Sequence, residues 1–541
     1  MTSIQQTNTC DIVKAAAQQF EAGNLAQAEG LCREVLHSDP DYPMALHLLG
    51  AIAYKRGRYE EAIELIREAI ARNRRVPQFH NTFGAVLRAM GKFEEAIVAY
   101  EQAVSLDAEY TQAYHNMGNI LLLQRRYAAA IEKYERVISL EPQCAEAYNS
   151  MAIALQYQGR YDAAVEKCSQ ALSLEPDHPV ALNAIASIST KMGHCVEAIE
   201  FYRRALQLKP DYAEAHCNLG MALLLTGRFE EGWNEYRWRL KTEKAAYPHR
   251  YGVPCWDGSF FVGKRLLVHY EQGFGDNIQF IRYLPMVKHH GGTVICEMLP
   301  PLFDLFQGFP GIDELIPASA ERAPAVQFDL YMPLLELPRI FETTLETIPA
   351  GVPYLYADPA KAQYWRQRLV SRAFKVGIVW AGKPAHPEDR TRSCHLRDFL
   401  PLSKIPGLAL FGLQKGAAAG QAEDLAPEMA LTDIGAELDD FTDTAAVIEN
   451  LDLIVSVDTA VLHLAGAMGK PAWAVLPFSP DWRWMLDRRD SPWYPTMRLF
   501  RQKSYGDWED VFQRVSQELQ MLAAGQGPTD LTPDESPERR S

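Results

Sequence analysis

The sequence has nine cysteines among 541 residues, and no two of them form a Cys-x-x-Cys pair. The count is odd and the positions scatter from Cys10 to Cys394. That argues against a disulfide framework and against a zinc site, and for reduced thiols. No apolar run reaches 18 residues, so no membrane span is expected. The opening stretch from Met1 to Gln19 lacks a basic segment ahead of an apolar one; no secretory leader is expected, and a cytoplasmic location follows. Positive charge is in deficit, with 54 Lys and Arg against 69 Asp and Glu, a net −15. Nucleic-acid binding wants a basic face, so that class is disfavoured. No Asp-x-Asp follows an apolar strand-like run, so neither a metal nor another cofactor is called for.

What the sequence does have is repetition. Small residues recur every 34 positions at Ala16, Gly50, Gly84, Gly118, Ala152, Ala186 and Gly220. Twelve residues after each stands another small residue: Ala28, Ala62, Ala96, Ala130, Ala164, Ala198 and Gly232. A third row is Gly23, Gly57, Gly91, Gly159, Gly193 and Gly227, broken by Arg125; a fourth is Pro40, Pro142, Pro176 and Pro210. Small residues let two helices approach, the glycines supply the turn between them, and the prolines stop the second helix. The four rows resemble the tetratricopeptide-repeat (TPR) family, seven repeats over 9–246 after a short tail, 1–8. The last repeat ends on Trp233, Tyr236 and Trp238, which reads as a face docked on the next domain.

One more position recurs at the same spacing: His47, Asn81, His115, Asn149 and Asn183. It reads either as solvated helix surface or as a polar ladder in a groove that hydrogen-bonds an extended peptide. Asn116 and Asn218 stand one residue out of phase.

After Tyr247 the helical period stops. Residues 247–264, with Pro248 and Pro254, read as a linker. Short β-type runs then alternate with helical stretches: Leu266–Tyr270, Thr293–Glu297, Phe328–Met332, Lys375–Trp380, Leu408–Leu413, Leu451–Val457, Ala472–Leu476 and Met497–Phe500. This alternation predicts parallel sheets in two Rossmann-like subdomains, 265–358 and 359–501. A helix over 502–525 and a disordered tail over 526–541 complete the reading. The fold class is α + α/β.

Ligands of open α/β sheets sit beyond the carboxyl ends of the strands. Three loops fall there. The first is Glu271-Gln272-Gly273-Phe274-Gly275-Asp276-Asn277, in which Asp276 is either a helix cap or a catalytic carboxylate. The second runs from Ala381 to Arg392 and concentrates Lys383, His386, Arg390 and Arg392; such a cluster suits a phosphate. In the third, Asp458, Thr459 and Ala460 end a strand and open a helix whose N–H groups suit a diphosphate, with His463 one turn on.

The run from Val457 to Pro471, with the Gly-Phe-Gly-Asp loop, resembles the family 9 (heptosyltransferase-like) glycosyltransferases, over about 265–520. That resemblance implies a GT-B fold, a nucleotide-diphosphate sugar as donor and an inverting, metal-independent transfer. It implies Asp276 as catalytic base and Lys383, Gln414, Asp458, Thr459, Ala460 and His463 on the donor. From the loops themselves, Arg392 is read as a further donor contact, and Gln272, Gly273, Gly275 and Asn277 as the acceptor side. Gln414 stands where the family usually has an acidic residue. A TPR array on such a domain is also similar in layout to the O-linked N-acetylglucosamine transferases. It implies a protein acceptor held by the repeats, flagellin-like at its most specific. The alternative is an inactive transferase serving as a TPR scaffold.

Overall fold

A computed structural model describes residues 3–242, 251–319, 324–386 and 388–525, with side chains from Thr9 onward. The expected tail over 526–541 lies outside the described residues, as do 1–2 and 247–250. The chain divides into two compact units, Met1–Ile188 and Ser189–Ser541. The repeat pattern runs to 246, but the division falls at 188, so the last repeats group with the sheets.

The first helix is Ser3–Glu21, so it starts inside the span read as a tail. Helix pairs follow in the repeat rhythm, as in Pro77–Ala89 with Phe93–Leu106 and Thr111–Leu123 with Tyr127–Leu140. The third-row glycines hold left-handed backbone, φ 75–85°, and Arg125 takes the same conformation at φ 60°. Side-chain size is matched within most pairs, Ala186 with Tyr202 being the exception. A Cβ on Gly84 would lie 2.6 Å from the Tyr100 ring, and one on Gly118 2.5 Å from that of Tyr134. Where the first helix has Ala16 or Ala152 instead, the residue 16 further on is the small Cys32 or Cys168, both fully buried. Those cysteines are packing residues, sized to the gap.

Most of the polar row is turned into the helix packing. His47, His115 and Asn149 are buried. His47 Nε2 lies 2.8 Å from Thr82 Oγ1, His115 Nε2 lies 3.3 Å from Ser150 Oγ, and Asn116 Nδ2 donates to Asn81 Oδ1 at 3.0 Å. Each bond joins a residue to the one 35 positions later. The row therefore couples the first helices of successive repeats, and Asn116 is out of phase because it is the partner of Asn81 and not its equivalent.

The second unit holds two all-parallel sheets. The strands are β1 (Arg265–His269), β2 (Thr293–Met298), β3 (Glu314–Pro317), β4 (Leu330–Pro333), β5 (Phe374–Val379), β6 (Leu408–Gly412), β7 (Leu431–Asp433), β8 (Leu453–Ser456), β9 (Ala472–Leu476) and β10 (Met497–Arg501). Their orders are β3-β2-β1-β4 and β10-β9-β8-β5-β6-β7. A TPR helical region followed by parallel sheets is thus an α + α/β architecture. Two strands, β3 and β7, had no clear signal in the sequence, being short edge strands that need no continuous apolar run. The span 251–264 corrects the linker reading. Trp256 and Phe261 are buried, and Trp256 N–H donates to Tyr331 O at 2.8 Å beside β4. Pro and Gly there make irregular backbone, which packs as firmly as regular backbone when it carries large apolar side chains. The helix Trp508–Ala523 closes the larger sheet, burying Val511, Phe512, Val515 and Leu519 with Phe399 and Phe500.

Candidate active site

β5 and β8 are neighbours, so the loops after them emerge side by side. The loop after β1 enters the helix Phe274–Phe280. It meets the turn after β8 at Gly275, where a Cβ would lie 2.7 Å from His463 Cδ2. Only glycine permits this approach.

Asp276 stands in the first turn of this helix, whose cap is Gly273. Its Oδ2 accepts the Gly273 N–H at 2.8 Å and its Oδ1 is ion-paired with Arg483. Arg483 is buried; it also donates to Asp481 Oδ1 at 2.8 Å and Gln279 Oε1 at 2.7 Å. Nothing in the sequence pointed to Arg483, because its carboxylate partner is 207 residues away. Asn277 is fully buried and its amide is spent on the loop itself, donating to Glu271 O and Gly273 O and accepting from Glu271 N–H. It shapes the loop and does not face an acceptor. Gln272 holds left-handed backbone at φ 56°, and its Nε2 donates to Tyr236 OH at 2.9 Å.

After β8, Asp458 is held ionised. Burial would push its carboxyl up, but His463, Trp484 and Arg392 together outweigh that, so it sits at about 2. His463 is buried, with Nε2 3.6 Å from Asp458 Oδ1 and Nδ1 2.9 Å from Tyr494 OH. Nδ1 is thereby engaged inside the protein while Nε2 faces Asp458, so His463 braces the turn. Thr459 caps the helix Ala460–Ala467 while its Oγ1 pairs with Ser456 Oγ at 2.9 Å. That leaves the first backbone N–H groups of the helix, including Ala460, as anion donors.

The loop after β5 supplies cations. Arg392 lies against Gly382, with its Nε 3.6 Å from Asp389 and without a hydrogen bond although buried. Lys383 is exposed to solvent. His386 lies within reach of the charges of both Asp276 and Asp458; partial burial and Arg392 push its imidazole down against those carboxylates. Gln414 corrects the sequence reading. Its amide accepts from Trp380 and Ala381 N–H and donates to Ala381 O and Lys415 O. All its capacity is consumed in fixing the β5 loop, leaving nothing for a donor. Around the turn, Arg282 donates to Trp493 O and Tyr354 OH, both at 2.8 Å, so the two sheets are joined beneath the site.

Tetratricopeptide-repeat models match 84–125, 111–144, 145–178 and 190–227, and a model of anaphase-promoting complex subunit 3 matches 21–103. The model of glycosyltransferase family 9 (heptosyltransferase) matches 407–487, which contains Asp458, His463 and Arg483. Protein FlbA of Caulobacter vibrioides is 28% identical over 334 residues, 56% of this chain and 54% of FlbA. The chain thus spans about half the length of that curated relative. Among solved structures, Pseudomonas aeruginosa PilF is 20% identical, covering 39% of this chain and 96% of its own, with a TM-score of 0.36. A tetratricopeptide repeat protein from Parabacteroides merdae is 17% identical, covering 45% and 94%, with a TM-score of 0.37. The chain carries tetratricopeptide repeats across its N-terminal region, and its segment 407–487 is similar to glycosyltransferase family 9.

Proposed function

We propose that the chain transfers a sugar from a nucleotide-diphosphate donor to an acceptor hydroxyl by single, inverting displacement, with no resident cofactor. The observation that carries this reading is the contact of Gly275 with His463, which sets a carboxylate loop of one sheet against an anion-binding turn of the other. Asp276 takes the proton of the acceptor hydroxyl as it attacks the anomeric carbon. The helix start at Thr459 and Ala460, with Arg392 and Lys383, carries the charge that develops on the departing diphosphate. The acceptor is a protein brought by the repeats, flagellin-like in the narrowest form, in the cytoplasm.

The pairing of both Asp276 oxygens favours a second reading, an inactive transferase acting as a scaffold. Two measurements separate them. Thermal shift with ADP-, UDP-, GDP- and dTDP-sugars identifies a donor, since a ligand of the native state raises its melting temperature. Asp276→Asn then lowers turnover by roughly 10²–10⁴ with the donor shift retained. Its melting temperature also falls, because an amide facing buried Arg483 loses about 1–3 kcal/mol of charge-assisted bonding. A folded Asp276→Asn protein transferring sugar at the wild-type rate would refute the catalytic assignment.

A further inference from the structure

The seventh repeat reaches the loop that carries Asp276 by two routes. Arg239 is buried and clamps both oxygens of buried Glu271, Nε to Oε1 and Nη2 to Oε2, each at 2.8 Å. Its remaining Nη1 donates to Glu336 Oε1 at 2.7 Å. One residue along the loop, Gln272 donates to the Tyr236 hydroxyl. One further on, Gly273 N–H donates to Asp276. Three consecutive loop residues are therefore fixed in turn: Glu271 and Gln272 by the repeat, and Gly273 by the carboxylate it orients.

Gln272 explains why a brace is needed. A non-glycine residue in left-handed backbone costs roughly 1–2 kcal/mol and persists only where its surroundings hold it. The Tyr236 hydroxyl is the side-chain partner it has. Tyr236 is itself fixed, with the Arg239 guanidinium 4.7 Å over its ring and Trp482 at 6.2 Å. Trp482 precedes Arg483, the other partner of Asp276. Trp233 adds a hydrogen bond from Nε1 to Thr343 O at 2.9 Å. Of the aromatics that end the repeats, Trp238 alone turns back, stacking on His216 at 3.9 Å.

We infer that the seventh repeat is part of the transferase site, with Tyr236 and Arg239 as positioning residues that act on Asp276 through Glu271 and Gln272. The inference rests on the reading of Asp276 as the base. It removes the last repeat from the surface available to an acceptor and assigns it to the chemistry.

The test uses the full chain with Tyr236→Phe, which deletes one hydroxyl and keeps the packing of the ring. Hydrogen–deuterium exchange at the amides of 271–277 should quicken by roughly tenfold, while the rest of the seventh repeat keeps its protection. Affinity for the nucleotide sugar that shifts the wild-type protein should stay within about twofold, while kcat falls by roughly tenfold. Gln272→Ala should give the same loss, and the double variant no further loss, because both remove one bond. Unchanged loop exchange in folded Tyr236→Phe overturns the inference whatever the activity, and so do additive losses in the double variant. A wild-type chain that turns over no nucleotide sugar in the panel instead defeats the transferase reading, and loop exchange then decides the bracing alone.

Discussion

At the scale of single residues, the buried charges of the second unit differ in how they are compensated. Arg239, Arg282 and Arg483 each spend a buried guanidinium on named acceptors. Glu297, at the end of β2, is buried too, and burial pushes its carboxyl up to about 7. The fold therefore prefers its neutral form. Its contribution is fully present below the ordinary value of 4.5 and is lost as pH rises through about 7. The loss is on the order of 3 kcal/mol by pH 8. Glu297→Gln cannot ionise, so its urea midpoint should change less between pH 5 and pH 8 than that of the wild type. Equal changes in both proteins would show that Glu297 does not drive the dependence. Asp458 runs the other way: held near 2, it stabilises above the ordinary carboxylate range and its contribution disappears as pH falls towards 2.

At the scale of elements, the repeat hairpins are set by turn backbone and by paired side-chain sizes. Arg125 occupies the place of a turn glycine and takes its left-handed backbone without its freedom. The strain of about 1–2 kcal/mol is partly offset, because glycine would loosen the unfolded chain. Arg125→Gly should therefore raise stability by about 0.5–1 kcal/mol, seen as a higher urea midpoint at unchanged m-value. A lower midpoint would mean that contacts of the arginine side chain outweigh the strain. The row spacing revealed this turn because six glycines and one exception stand in a single phase. The cross-repeat bonds were legible only in part: the 34-residue recurrence of His47, Asn81 and His115 is plain, but their partners 35 residues on show only when successive helices are laid side by side.

At the scale of the whole molecule, the compact division at Ile188 and Ser189 cuts across the repeat pattern. The end of the helix Pro179–Lys191 belongs to the second unit, where Lys191 is paired with Glu388 at 2.7 Å and Thr190 O accepts from Ser479 Oγ at 3.1 Å. A chain lacking 1–188 keeps these contacts and should unfold in a single transition; on the proposed transferase reading it still hydrolyses a nucleotide sugar slowly and loses transfer to a protein acceptor. Deletion to 212 removes Lys191 and the helix Cys195–Leu208, and should lower the melting temperature as well. Loss of donor hydrolysis in the shorter deletion would mean that the first unit supports the fold of the second instead of presenting the acceptor.

The sequence by itself determined the repeats, the parallel sheets and the three loops at the strand ends. Each rests on local chemistry: a 34-residue period, apolar runs of strand length, and glycine or charge clusters between elements. It placed Asp276, Asp458 and His463 beyond the carboxyl ends of buried strands, where ligands of open sheets sit. It could not assign their partners. Arg483 joins Asp276 across 207 residues, and Arg239 joins Glu271 and Glu336 across 32 and 97. Pairings of this kind leave no periodic trace, since an arginine beside two tryptophans reads the same whether it is solvated or buried. The tertiary structure also reversed two roles, turning Gln414 and Asn277 inward to hold backbone. An amide can donate and accept in any direction, and only the positions of nearby N–H and C=O groups decide whether it meets a ligand or its own chain.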